Sequence, residues 1–249
     1  MMNLSFAGCG FHCMYHLGVI SCLQRHGKSI MQNICCYGGA SAGSLAATLL
    51  ATSIPMEQGI HFSTKLALNV RKKSFGALSP SFDMTHHLKE GLQYLLPKDA
   101  HKMASSRLFV SITKYPQHEN SIISQFSTRE ELIQVLLASC YIPIYSGTKV
   151  PVYKGEKWFD GGFTDNLPIF KTGKTIRVSP FSGDFDVCPM DNNSKKPLTV
   201  QLKNMKIAVN YKNMERGFQG LFPPSQNKLH KIYKNGYNDA LNFLRTPLK

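Results

Sequence analysis

Tyr37-Gly38-Gly39-Ala40-Ser41-Ala42-Gly43-Ser44 is the stretch from which the fold is read: a serine with a glycine two positions away on either side. A strand that turns sharply into a helix needs residues without side chains at those two places, because neighbouring backbone passes close by. The flanks agree. Ile34-Cys35-Cys36-Tyr37 is short, apolar and strand-like, and residues 44–51 are strong helix formers. Such an elbow presents the Ser41 hydroxyl at its tip and aims the next N–H at the same spot, with Gly39 and Gly43 as its supports. The G-x-S-x-G pattern also occurs in turns without chemistry, so Ser41 needs partners before it can be read as a nucleophile.

Upstream, Leu4-Ser5-Phe6-Ala7 reads as a strand running into Gly8-Cys9-Gly10, and residues 11–25 read as a helix with Tyr15, Leu17, Val19, Ile20 and Leu23 available to a core. A glycine turn at a helix start gathers backbone N–H groups and the positive helix end at one point, which suits a phosphate or an oxyanion. Sharper alternatives fail on particular residues. A dinucleotide fingerprint needs a third glycine where Cys13 stands and an acid about 20 residues on, whereas the first acid is Glu57. Gly27-Lys28-Ser29 resembles the end of a phosphate-binding loop, but its earlier glycine is replaced by Cys22. Cys9, His12, Cys13 and His16 do not make a zinc set, since the last three share about one helical turn and diverge around its axis. No metal and no cofactor are expected.

Downstream, Lys157-Trp158-Phe159 reads as a strand ending in Asp160-Gly161-Gly162, an acid on a glycine turn at a strand end. α/β sheets place catalytic groups at such ends. Between these landmarks, residues 58–73, 84–96 and 131–139 read as helices, the last opened by a capping box at Ser127-Thr128-Arg129-Glu130. Residues 107–113, 120–126 and 175–180 read as strands, and residues 226–244 as a closing amphipathic helix.

A chain of 249 residues that is 43% hydrophobic can bury one large core. One domain over residues 1–249 is expected, with a catalytic core at about 4–180 and a basic, helical C-terminal part at about 181–249. The seven cysteines are odd in number and lie mostly in apolar runs, and residues 1–9 lack the features of a secretory leader, which points to reduced thiols facing the cytosol. The longest apolar run, residues 42–55, falls short of the about 18–20 residues of a membrane span. Net charge is +14, and residues 191–249 hold eleven Lys or Arg against three acids. A basic surface of this kind suits an anionic lipid surface or a nucleic acid. The lysines are scattered and no nucleic-acid motif accompanies them, so nucleic acid is not expected as a partner.

Oxyanion donors at Gly8-Cys9-Gly10, a serine at Ser41 and an acid at Asp160 are the parts acyl transfer requires. Ser5-Phe6-Ala7-Gly8-Cys9-Gly10-Phe11, Gly39-Ala40-Ser41-Ala42-Gly43-Ser44, Ile142-Pro143-Ile144-Tyr145, Asp160-Gly161-Gly162, Asp165-Asn166-Leu167-Pro168, Ser179-Pro180-Phe181-Ser182-Gly183 and Leu221-Phe222-Pro223-Pro224 resemble the patatin-like phospholipases, in the branch of adipose triglyceride lipase and adiponutrin. The resemblance implies an α/β fold, a three-layer α/β/α sandwich with a mostly parallel central sheet. It implies a Ser–Asp dyad without histidine, with Ser41 as nucleophile, Asp160 as base, the N–H groups of Gly8, Cys9 and Gly10 as oxyanion hole, and Gly161 and Gly162 shaping the acid turn. Apolar neighbours such as Trp158 and Phe159 would raise the pKa of that base.

The substrates implied are fatty acyl esters: triacylglycerols, retinyl esters and glycerophospholipids, hydrolysed or transacylated without metal. The implied setting is the cytoplasm with peripheral contact to a membrane or lipid-droplet surface, mitochondria included. This chain has His12 and Cys13 where the family usually has leucine and glycine, which bears on rate and on the acyl pocket. Two other readings stand beside this one: an α/β-hydrolase triad using His230, and a lipid-surface protein that keeps the fold with weakened catalysis.

Overall fold

Parallel pairing of two glycine-ended strands sets the frame of the molecule. In the computed structural model, which describes residues 1–191 and 198–246, β1 (Met2–Phe6) leads through a single 3-10 turn into α1 (Cys13–His26), and a short α2 (Lys28–Gln32) into β2 (Ile34–Ala40). Then follow α3 (Ala42–Ala51), α4 (Met56–Arg71), α5 (Met84–Leu95), α6 (Ala100–Ala104), β3 (Leu108–Tyr115), β4 (Glu119–Ile123) and α7 (Arg129–Ser139). The rest comprises β5 (Val152–Tyr153), β6 (Glu156–Asp160), β7 (Lys174–Val178), the hairpin β8 (Thr199–Leu202) and β9 (Met205–Ala208), α8 (Tyr211–Leu221) and α9 (Gln226–Arg245).

β1 lies between β2 and β7, parallel to both, and β2 pairs parallel with β3; β4, β5 and β6 extend the sheet antiparallel. The class read from the sequence, α/β with a mostly parallel central sheet flanked by helices, is the one the structure has. Along β3, β2 pairs with residues 108–111 and β6 with residues 112–115, so β6 takes over where β2 stops. The takeover brings the end of β6, Asp160, towards the end of β2, where Ser41 begins the elbow.

Period-2 alternation decides what each face of the sheet touches. Leu108, Val110 and Ile112 point into the helical core with Leu4, Phe6, Ile176 and Val178. On the other face, Phe109 meets Phe170 edge to face, and the Ser111 and Thr113 hydroxyls bond to Asp165 and Thr164. α9 packs along α1 at a close crossing: a Cβ at Gly18 would lie 2.0 Å from the Tyr233 carbonyl oxygen, and one at Gly236 2.1 Å from that of Tyr15. Two glycines facing each other's helix let the backbones approach as side chains would forbid.

The capping pair of α7 lies one residue later than the sequence reading placed it. Thr128 Oγ1 accepts from the Glu131 N–H at 3.0 Å and the Glu131 carboxylate accepts from the Ser127 N–H at 2.6 Å, so α7 starts at Arg129. Thr128-x-x-Glu131 has the capping-box spacing, with the Glu131 carboxylate reaching the N–H of Ser127, just outside the helix, rather than that of Thr128. The strand read over residues 120–126 ends at Ile123, since Phe126 turns into the core and its N–H is taken by Ser105 Oγ. Of the C-terminal basic residues, Lys195, Lys196 and Lys249 lie outside the described residues.

Candidate active site

Ser41 sits at φ 53°, ψ −132°, a conformation that costs a non-glycine residue about 1–3 kcal/mol and persists only where neighbours hold it. They do. Its carbonyl accepts from the Ser44 N–H at 2.9 Å and the Ser44 hydroxyl at 2.7 Å, which starts α3. Its N–H donates to Ser139 Oγ at 2.9 Å, and that hydroxyl donates on to the Ser111 carbonyl at 2.8 Å, tying the elbow to α7 and β3. The glycines at two removes are required sterically. A Cβ at Gly43 would lie 2.2 Å from the Phe6 carbonyl oxygen, and one at Gly39 2.5 Å from the Gly43 carbonyl carbon.

Asp160 closes the sheet beside the elbow. Its side chain is buried, it accepts a hydrogen bond from the Gly162 N–H at 2.7 Å, and it shares the cleft with Ser41. Burial raises its pKa to about 7, against the lowering effect of the nearby Ser41 hydroxyl and the Gly162 N–H. Trp158 and Phe159 are buried beside it, as the sequence suggested. Gly161 presses on β3, where a Cβ would lie 2.1 Å from the Ser111 carbonyl oxygen. Burial holds the Cys9 and Cys140 thiols well above their ordinary range, so neither is a thiolate competing with Ser41.

Gly8, Cys9 and Gly10 line the same cleft as Ser41 and Asp160, but their N–H groups are not equivalent. The Gly8 N–H is already taken by Asn166, whose side-chain oxygen accepts at 3.1 Å and carbonyl at 3.2 Å. Among the described residues nothing accepts from the N–H of Cys9 or Gly10. In this state the available donors are therefore Cys9 and Gly10, with Gly8 fixed as their anchor. Asn166 Nδ2 returns a bond to the Gly8 carbonyl at 3.2 Å, and a Cβ at Gly8 would stand 2.4 Å from Asn166 Oδ1.

Below the elbow an apolar cavity of about 120 Å³ runs from Ser41 between α3, α4 and α5, lined among others by Leu45, Phe62, Leu66, Leu88 and Leu92. Cys13 is on its wall, whereas His12 lines neither the cavity nor the cleft. His12 is buried, with Nε2 donating to Gln219 Oε1 at 3.2 Å, and His16 Nε2 donates to the Ala7 carbonyl at 2.7 Å. Burial lowers both imidazoles to about 4, so both are neutral at physiological pH. His230 is exposed on α9 and touches Tyr233, not the cleft, so the structure does not assemble the triad that needs it. Among the described residues no group of His, Cys, Asp and Glu could hold a metal, and no helix is long and apolar enough to cross a membrane.

Ser139 and Asn166 are the positioning residues that sequence reasoning passed over. Ser139 looked like the end of a core helix and carries no local signal. Asn166 lay inside a recognised motif, and its distance of 158 positions from Gly8 hid what it holds.

The patatin-like phospholipase family profile matches residues 4–171. Among curated relatives, patatin-like phospholipase domain-containing protein 4 of Homo sapiens is 45% identical over 98% of this chain and 96% of its own. Patatin-like phospholipase domain-containing protein 2 of Rattus norvegicus is 41% identical over 98% of this chain, which spans 51% of that protein. The 1-acylglycerol-3-phosphate O-acyltransferase PNPLA3 of Homo sapiens is 34% identical over 97% of this chain and 50% of its own. Among solved structures, VipD from Legionella pneumophila aligns with TM-score 0.56 and 15% identity over 98% of this chain and 66% of its own, a likeness of fold.

Proposed function

The chain belongs to the patatin-like phospholipase family, and from that membership we propose that it is a serine acyl hydrolase of water-insoluble lipid esters working through a Ser41–Asp160 dyad. Triacylglycerols, retinyl esters and glycerophospholipids are its substrate class. The observation that carries this reading is a strained serine and a buried carboxylate lining one cleft, with the serine at the mouth of an apolar cavity.

Asp160, ionised above about pH 7, takes the Ser41 proton as Oγ attacks the ester carbonyl. The oxyanion is met by the N–H groups of Cys9 and Gly10. Collapse breaks the ester C–O bond, and Asp160 gives the proton to the departing alcohol. Water, deprotonated by Asp160, then attacks the acyl-serine and releases the fatty acid. An alcohol entering in place of water yields the transfer product, so hydrolysis and transacylation part only at this second step.

A fluorophosphonate probe is expected to form one covalent adduct on the peptide carrying Ser41, read by mass spectrometry. Folded protein that gives no such adduct would overturn the hydrolase reading in favour of a lipid-surface protein with lost chemistry.

The acyl chain is assigned to the cavity below the elbow, where Cys13 and the α5 leucines set its length. Leu92→Trp is expected to lower the kcat/KM ratio of hexadecanoyl to butanoyl esters by roughly tenfold, by filling the channel used only by the longer chain. Steady-state kinetics on the two esters of one alcohol checks this.

A further inference from the structure

α8 is an amphipathic helix with its polarity inverted. Its inward side carries Asn213, Arg216 and Gln219. Arg216 grips Asp191 through two hydrogen bonds of 2.8 Å, Asn213 Nδ2 donates to the Ser182 and Ala208 carbonyls at 2.9 and 2.7 Å, and Gln219 accepts from His12. Its outward side carries Tyr211, Met214 and Phe218, which are 78%, 70% and 63% exposed. Leu221 continues the row, and Phe218 stacks on the following Phe222 with ring centroids 4.7 Å apart. Positions 211, 214, 218 and 221 fall on one helical face. A helix of an ordinary soluble domain turns such a face to the core; here the core side is polar and satisfied, so the helix is locked with its apolar row in water. A contiguous exposed apolar surface of this kind marks a binding site.

We infer that the outward face of α8 is the lipid-docking surface of the protein, inserting Met214 and Phe218 among the acyl chains of a lipid surface with anionic headgroups. This rests on the reading of the cleft as a lipid-ester hydrolase. Two observations select a lipid surface over another protein. The apolar row leads into the cleft: Leu221 lines it together with Ser41 and Asp160, and the Tyr145 hydroxyl, also in the cleft, donates to the Leu221 carbonyl at 2.6 Å. A water-insoluble ester leaving the lipid phase along this row meets apolar side chains up to the nucleophile. The second observation is charge. Lys212 stands exposed in the first turn of α8, with Lys203 and Lys206 exposed on the adjoining β8–β9 hairpin, in a chain of net charge +14. Although Lys212 also reaches Asp191 at 3.6 Å, this local excess of cations favours anionic headgroups and disfavours a second copy of the same surface.

The test uses the full chain and vesicles of phosphatidylcholine and phosphatidylserine in roughly a 3:1 ratio. Wild type is expected to float with the vesicles. The double variant Met214→Ser, Phe218→Ser is expected to lose roughly tenfold or more in vesicle affinity, with a matching fall in turnover of emulsified triolein. Its turnover of dissolved p-nitrophenyl butyrate should stay within roughly twofold, since neither side chain lines the cleft. Phe218→Trp reports insertion directly, because the one native tryptophan, Trp158, is buried: vesicles should shift its emission to the blue.

Vesicle affinity unchanged in the double variant overturns the inference, as does a wild type that cleaves p-nitrophenyl butyrate but does not float. A dimer that the double variant dissolves, found without vesicle binding, assigns the face to a second copy and also overturns it. A wild type that docks through α8 and cleaves no ester leaves the docking face standing and overturns the hydrolase reading instead.

Discussion

Ser41→Ala is expected to lower ester hydrolysis by about four orders of magnitude or more while leaving the protein folded. The change removes only the hydroxyl. Alanine at φ 53° is strained no more than serine, and the bonds that hold the elbow run through the backbone N–H and carbonyl of residue 41 to Ser139 and Ser44, all of which remain. What is lost is the hydroxyl proposed to attack, and with it one of the two groups that hold down the pKa of Asp160. The variant's carboxyl should therefore titrate above the wild-type value of about 7. Hydrolysis of p-nitrophenyl butyrate measured beside thermal unfolding separates lost chemistry from lost structure. Activity within tenfold of wild type in the folded variant would place the nucleophile elsewhere.

Asp160→Asn should fall by a comparable factor and at the same time make the protein more stable. The two effects have one cause. A carboxyl whose pKa is about 7 in the fold and near 3.8 in the unfolded chain binds its proton more tightly when folded. Its contribution to stability is thus fully present below about pH 4 and is lost as pH rises through about 7. Above that the fold carries a buried charge that costs roughly 4 kcal/mol. An amide of the same shape carries none and can still accept from the Gly162 N–H. Asp160→Asn is expected to raise Tm by several degrees at pH 8, with a smaller gap at pH 5 where wild type is protonated. In wild type kcat/KM should climb as pH rises towards about 7 and then level, and the residual rate of the variant should lack that limb. A Tm gap that widens on acidification would show that Asp160 is not held protonated by the fold.

The strand-turn-helix units were legible because their signals are local. Gly8-Cys9-Gly10, Gly39 through Gly43 and Asp160-Gly161-Gly162 each announce a turn within a few residues, and the structure places all three around one cleft. Local signals reached the types of the long elements too, with ends displaced by a few residues. α3 begins at Ala42, directly after Ser41, rather than at Ser44.

α8 escaped because its pattern is readable but its meaning is reversed. Tyr211, Met214 and Phe218 have helical spacing, yet the partners that fix the helix are polar and distant, Asp191, Ser182 and His12 among them. The short α2 and α6, five residues each, are too brief for a periodic signal. The difference among the Gly8, Cys9 and Gly10 amides was likewise invisible, since it depends on which amide Asn166 occupies. His12 and Cys13, adjacent in sequence, also part company in space: one is tied to α8 and the other faces the apolar cavity below Ser41.

The close crossing of α1 and α9 bears on how the chain is made. β1 and α1 precede their partners by most of the fold: β1 needs β7 at residues 174–178 beside it, and α1 needs α9, which begins at Gln226. The glycine turn between β1 and α1 is therefore fully framed only once α9 has been made. Pairings between segments far apart in sequence form late and leave apolar segments open to wrong partners in the meantime. Yield of soluble protein should accordingly depend more on chaperone supply during synthesis than on the stability of the finished fold.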